Sequence, residues 1–158
     1  MFNSEQLKEF IIKPAITDLL MNSDDAIALL LFTCANESNG GTYIKQLKGP
    51  ALGIYQMEPT TYNDIWVNFI MPNASLRLIM THHFDSATLP DEYRLMYDLR
   101  FATAMTRIHY ARVKLPLPKA DDIDAIWDYY KTHYNSSNGK ADYSTAIAAY
   151  RRFICPKF

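Results

Sequence analysis

The sequence has little that would mark a metal scaffold, an exported chain or a polyelectrolyte binder. It carries two cysteines in 158 residues, Cys34 and Cys155, far apart and without a C-x-x-C pattern. That argues against a zinc ribbon and a disulfide framework, and both side chains are expected to be reduced thiols. Like charges never run to five or six in a row, and 16 basic residues stand against 17 acidic ones. Nothing resembles a polybasic arm or a membrane-binding face, so neither nucleic acid nor membrane is expected as a partner. The N-terminal stretch MFNSEQLKEFIIKPAITDLL lacks a basic n-region, a continuous apolar segment and a small-residue cleavage site, unlike a signal peptide. The longest apolar run, AIALLLF with its neighbours, is too short to span a bilayer. The expected product is made in a cytoplasm and stays soluble there. H-E-x-x-H, G-x-S-x-G, P-loop and dinucleotide fingerprints are missing, and no cofactor is expected. In THHFD, the adjacent His82 and His83 diverge on any regular backbone, so with Asp85 they make a poor ligand set and no metal site is expected. Repeats, low-complexity segments and Pro/Gly/Ser linkers are also lacking, which leaves one domain over residues 1–158.

What the chain does have is tyrosine and helix signals. Eleven Tyr and two Trp combine an apolar face with a polar tip, which suits a groove for a flat, hydroxylated ligand such as carbohydrate, and equally suits a core edge. Ser4 is placed to cap a first helix, EQLKEFIIKPAITDLL, which Pro14 must end or kink. Ser23 or Asp24 caps DDAIALLLFTCANES, apolar nearly all round from Ala26 to Ala35 and stopped by Gly40-Gly41. A helix without a polar face is a buried central helix. Lys48 to Met57 reads as a turn followed by a strand or small hairpin. Thr60 or Thr61 is expected to cap YNDIWVNFIM. The stretch PNASLRLIMTHHFDSATLP reads as irregular, and Asp91 as the cap of a long helix through about Val113, with Leu95, Leu99, Ala102, Met105 and Ile108 as its stripe. After KLPLPK, Asp121 or Asp122 starts DIDAIWDYYKTHYN, in which Ile123, Ile126, Trp127, Tyr130 and Tyr134 share a face. A last helix spans about Ser144 to Ile154. The expected fold class is mainly α (α+β), a single domain with a buried central helix and a small β element.

Glu37 ends the apolar helix. Apolar surroundings and the negative end of the helix dipole both disfavour its ionised form, and no Lys or Arg lies within a turn in sequence to compensate. A raised pKa and a proton retained near neutral pH are expected, as a general acid in glycosidic cleavage requires. A solvated helix-end glutamate is the plainer alternative. Cys34 reads as a small core residue rather than a nucleophile.

Glu37-Ser38 followed by ALGIYQMEPTT resembles the motif pair of the soluble lytic transglycosylase and goose-type lysozyme superfamily. In that superfamily an E-S on a buried helix precedes a G-L-M-Q-[IL]-x-P-x-T element by about fifteen residues. The wording GPALGIYQMEP, DIW, YDLR, HYARV and WDYYKTHYNSSNGKA is similar to that of phage-encoded lysozyme-like proteins, from about Asp25 onward. The resemblance implies a lysozyme-like fold, with Glu37 as catalytic acid and then base, and a Gly53–Gln56 strand lining a sugar groove. It further implies that Ser38 orients Glu37, that Gln56 bonds substrate and that the Tyr55 backbone lies against an N-acetyl group, Tyr55 standing where Met is usual. Gly53 suits close approach of a saccharide or, alternatively, a bulge. For the family's late Y-N-A-G turn, whose Tyr reaches the acid, Tyr134 in HYNSSNG competes with Tyr150 in AIAAYRRF, and Tyr134 is favoured. Tyr130, Tyr134 and Trp127 read equally as a core stripe.

The expected activity is cleavage of the MurNAc-GlcNAc β-1,4 bond of the peptidoglycan glycan strand by a lytic transglycosylase using a single acid, with the C6 hydroxyl attacking internally. Glu58 and Asp64 are the nearest candidates in sequence for a second carboxylate, a water-activating Asp from positions in the 80s or 90s stays open, and a muramidase-type hydrolase with water as acceptor is the alternative. A non-catalytic virion or wall-binding protein is the alternative of another class. Without an export signal, such an enzyme reaches the periplasmic wall through a holin or aboard a virion, beside other virion proteins.

Overall fold

The computed structural model describes residues 1–135 and 140–155. Most helices begin where a short polar side chain can satisfy an orphan backbone N–H. Asn3, not Ser4, caps α1 (Ser4–Leu7) by accepting from the Gln6 amide, and Ser4 is buried. A π turn over Lys8–Ile12 leads into α2 (Lys13–Asp18). Pro14 has no N–H for the Phe10 carbonyl, and just before it the ladder widens, with the Lys13 amide bonding the Lys8 carbonyl. The helix absorbs its proline as a π turn instead of breaking.

Helix α3 (Asp24–Glu37) is capped by Ser23, whose hydroxyl accepts from the Ala26 amide at 3.0 Å. Every residue from Ala26 to Ala35 is buried, and the elements that enclose α3 are α7, α8, α9 and the first π turn. The core is one cluster built around this helix. After it the chain turns through Gly40 and Gly41, at φ +63° and +79°.

The segment expected to hold a small β element forms two isolated antiparallel bridges, Lys45 with Leu52 and Leu52 with Met57. No sheet is formed among the described residues. Gly53 (φ +77°) and Gln56 (φ +48°) are left-handed, so the extended run cannot continue between Leu52 and Met57. Helix α4 (Pro59–Ile65) then starts on Pro59, with Glu58 at the cap position and no side-chain cap. Neither Thr60 nor Thr61 caps it, because proline pre-sets the first helical φ and has no amide to satisfy. A second π turn, Trp66–Ile70, extends α4.

The stretch read as irregular holds a helix, α5 (Ala74–Phe84), capped by Asn73 and ended by left-handed Asp85. Its polar composition concealed an apolar line of Leu76, Met80 and Phe84, four residues apart and all buried. The long helix expected from Asp91 is two pieces, α6 (Arg94–Tyr97) and α7 (Leu99–Ala111). Asp98 divides them: extended at φ −110°, ψ 93°, it accepts from the Phe101 amide and pairs with Arg94 at 2.9 Å. Asp91 makes a local turn by accepting from the Tyr93 amide. Asp122 caps α8 (Ile123–Tyr130), a third π turn covers Lys131–Asn135, and Asp142 caps α9 (Tyr143–Ile154). The fold is mainly helical, and no described helix is long and apolar enough to cross a membrane.

Candidate functional site

Helix α3 stops at Glu37 because Ser38 leaves helical geometry (φ −123°, ψ 15°) and buries its hydroxyl. That hydroxyl donates to the Ile54 carbonyl at 2.6 Å and accepts from the Gly41 amide at 2.8 Å. Ser38 therefore acts on Glu37 through the main chain, by stitching the helix end to the 52–57 loop.

The half-buried Glu37 side chain meets α8 and the third π turn. The Tyr130 hydroxyl donates to Oε1 at 2.7 Å. Burial raises the carboxyl above its ordinary value, while the Tyr130 hydroxyl, the Asn135 side chain and the Lys131 charge each oppose that rise. The direction matches the sequence expectation, but its premise is modified: folding brings Lys131 near an acid that has no cation beside it in sequence. Burial and the Glu37 charge raise the Tyr130 phenol, so it keeps its proton and remains a donor at neutral pH.

Glu37 opens into a cleft of about 630 Å³. Gln56, Met57, Glu58 and Thr61 form one wall; Gln46 and Ala51 come from the preceding loop, and His109 from α7. Tyr134, Asn135 and Lys140 complete the lining. Of the residues expected to build the site, Glu37, Gln56 and Tyr134 are brought together here. Gln56 is held in the wall by its left-handed backbone and by its Nε2, which donates to the Gly53 carbonyl at 2.8 Å.

Ser38, Gly53 and Tyr55 lie behind that wall. A Cβ on Gly53 would sit 2.2 Å from the Leu95 carbonyl oxygen. The space beside this glycine is thus taken by the chain's own backbone, as in a tight turn. Tyr55 is fully buried, its hydroxyl 3.1 Å from Thr103 Oγ1. Its carbonyl accepts from the Tyr134 hydroxyl at 2.7 Å, so the Tyr55 backbone engages Tyr134.

The tyrosine that reaches the acid is Tyr130, one turn before the favoured Tyr134. The two rings lie 6.3 Å apart and nearly parallel, at 19°. Their shared face was visible from the i, i+4 spacing, but the π turn that points one at Glu37 and the other at Tyr55 was not. Tyr150 is a core residue, its ring 5.2 Å from that of Phe32. Asn135 and His109 also belong to the site. His109 was marked in the sequence only as the first residue of the HYARV stretch.

Glu58 is exposed and at the same time lines the cleft. Asp64 instead pairs with Arg112 at 2.5 Å. His83 lies 3.6 Å from Asp18, and among the described residues no group of three His, Cys, Asp or Glu is placed to hold a metal. Burial pushes the Cys34 thiol up to about 12, which keeps it protonated and unreactive. The arrangement can present a proton from Glu37 to an oxygen bound in the cleft, with a second carboxylate, Glu58, on the same cleft. Compared with models of known families, with curated proteins and with solved structures, the chain matches none of them.

Proposed function

We propose that this protein is a peptidoglycan-cleaving enzyme with a lysozyme-like fold, acting on the MurNAc-GlcNAc β-1,4 bond with Glu37 as its acid. The observation that carries the reading is the setting of Glu37: the end of a buried helix, a raised pKa, a phenol on Oε1 and an open cleft in front. A protonated carboxyl so held can protonate the glycosidic oxygen as the C1–O bond breaks. The resulting carboxylate, stabilised by the Tyr130 hydroxyl, then removes the proton of the attacking group. In the transglycosylase route that group is the MurNAc C6 hydroxyl, which closes a 1,6-anhydro ring and needs no second carboxylate.

The hydrolase reading is favoured by one observation, the position of Glu58 on the same cleft, where its side chain could orient water. The resemblance of Glu37-Ser38 and Gly53–Gln56 to the lysozyme-like superfamily supports a phage-borne enzyme that reaches the wall through a holin or in a virion. Turbidity loss of purified peptidoglycan, compared between wild type and Glu37→Gln, tests the proposal. Lysis should fall at least about a hundredfold in the variant, the scale on which a general acid acts. Mass analysis of the products separates 1,6-anhydro ends from reducing ends. No lysis by wild-type protein would support a non-catalytic wall or virion protein instead, and equal lysis by Glu37→Gln would show that Glu37 is not the acid.

A further inference from the structure

His109 lines the cleft, yet neither of its ring nitrogens is free for substrate. Nδ1 lies 2.7 Å from Nη2 of Arg112, and a guanidinium only donates, so Nδ1 is the bare, accepting nitrogen. The proton is therefore on Nε2, which donates to the His133 carbonyl at 3.0 Å. Arg112 is fixed in turn by Nη1, which donates to Asp64 Oδ2 at 2.5 Å. One neutral imidazole thus ties α4, through Asp64 and Arg112, to the π turn Lys131–Asn135.

That turn supplies Tyr134 and Asn135 to the cleft and follows directly on Tyr130. The His109 ring also stands edge-on to Tyr134, 5.1 Å away at 89°, and 6.0 Å from Tyr110. His133 packs its own ring on Tyr129 at 4.6 Å, so the carbonyl that His109 holds belongs to a residue anchored from its other side. π turns lack the tight ladder of an α-helix, and a turn of this kind at a helix end has carbonyls in need of outside donors. Burial and the Arg112 charge push the imidazole down to about 4, which keeps it neutral above that range.

We infer that, given Glu37 as the acid of the cleft, His109 is a positioning residue and not a proton carrier: as a fixed Nε2–H tautomer it holds the π turn that aims Tyr130 at Glu37 and places Tyr134 and Asn135 on the cleft wall. Asp64 and Arg112 set its tautomer.

Two measurements test this. Long-range ¹H–¹⁵N correlation of the imidazoles in the wild-type protein should show His109 neutral, with the proton on Nε2, throughout pH 5.5–7.5. An Nδ1–H tautomer, or titration near the ordinary histidine value, overturns the inference whether or not the protein cleaves peptidoglycan. The second measurement is kinetic. His109→Gln keeps a donor and an acceptor at nearly the same places and should retain a kcat within about threefold of wild type. His109→Leu removes both and should lose about ten- to hundredfold in kcat with KM little changed, the range expected for misplaced catalytic groups. Equal losses in the two variants, or a fully active Leu variant, also overturn it. If wild-type protein proves inactive, the proposed function fails on the turbidity assay, while the tautomer measurement still decides the placement of His109.

Discussion

The Tyr130 hydroxyl donates to Glu37 Oε1 at 2.7 Å across 93 residues of chain. The bond favours the charged carboxylate and so holds the Glu37 pKa lower than burial alone would set it. Tyr130→Phe should therefore raise that pKa. The alkaline limb of the kcat profile, which reports loss of the protonated acid, should move to higher pH, and kcat at its optimum should fall about fivefold to thirtyfold, since the carboxylate formed in the step loses a charge-assisted bond worth ~1–2 kcal/mol. A pH–rate series on soluble glycan fragments reads both effects. An unmoved or downshifted limb would show that the phenol does not stabilise the carboxylate.

Glu37 should weaken the fold that carries it. Its folded pKa is raised, so the native state binds the proton more tightly than the unfolded chain does. Stability is then full below the unfolded value and is lost as pH rises through the folded one. Glu37→Gln, which cannot ionise, should be more stable than wild type at pH 7. The gain should vanish below about pH 4, where wild type is protonated in both states. Thermal melts of the two proteins at both pH values check this, and a variant less stable at pH 7 would count against it.

His109 acts in the opposite sense. Its folded pKa, pushed down to about 4, lies below the unfolded value of about 6.5. Stability should therefore be complete above pH 6.5 and decline as pH falls toward 4, by up to about 3 kcal/mol. Urea unfolding midpoints measured across that window should fall in wild type and vary less in His109→Gln. Parallel slopes would show that His109 is solvated like an ordinary histidine.

Gly53→Ala places a methyl 2.2 Å from the Leu95 carbonyl oxygen at a backbone φ of +77°. Both the strain and the clash oppose the substitution, and a loss of about 3 kcal/mol or more is expected from urea unfolding. Leu95→Ala retains the carbonyl and should not rescue it. A near-neutral Gly53→Ala would mean that the 52–57 loop can shift away from α6.

The buried helix, its stop after Glu37 and the tyrosine face of α8 were legible from periodicity and capping residues, because each is a property of a few consecutive side chains. The helical class followed from the same signals. The division at Asp98 was not legible, because an aspartate within an apolar stripe looks like any polar helix position until its side chain folds back on the Phe101 amide. Helix α5 was obscured because its buried line is short and its neighbours are polar. At the site, Glu37 stands out as the acid of an apolar helix, whereas Gln56 was marked only by the resemblance of GIYQ to a family motif. The exchange of Tyr134 for Tyr130 depends on a π turn that adds one residue to a helical repeat, and neither propensity nor pattern marks such a turn. The roles of Gly53 and Tyr55 are set by Leu95 and Thr103, distant in sequence and joined to them only by folding.

The two glycines after Glu37 have a consequence for how the molecule assembles. A Cβ on Gly40 would stand 2.7 Å from both Met1 and Phe153, and one on Gly41 would meet the Phe2 ring at 2.1 Å. The turn that ends the acid's helix is thus packed between residues more than 150 positions apart, and the acid's hydroxyl partner is itself remote. Contacts of such high sequence separation must bear the entropy of closing long loops before they stabilise anything. The cleft should be among the last parts to form during refolding, with recovery of its function trailing the return of helical signal.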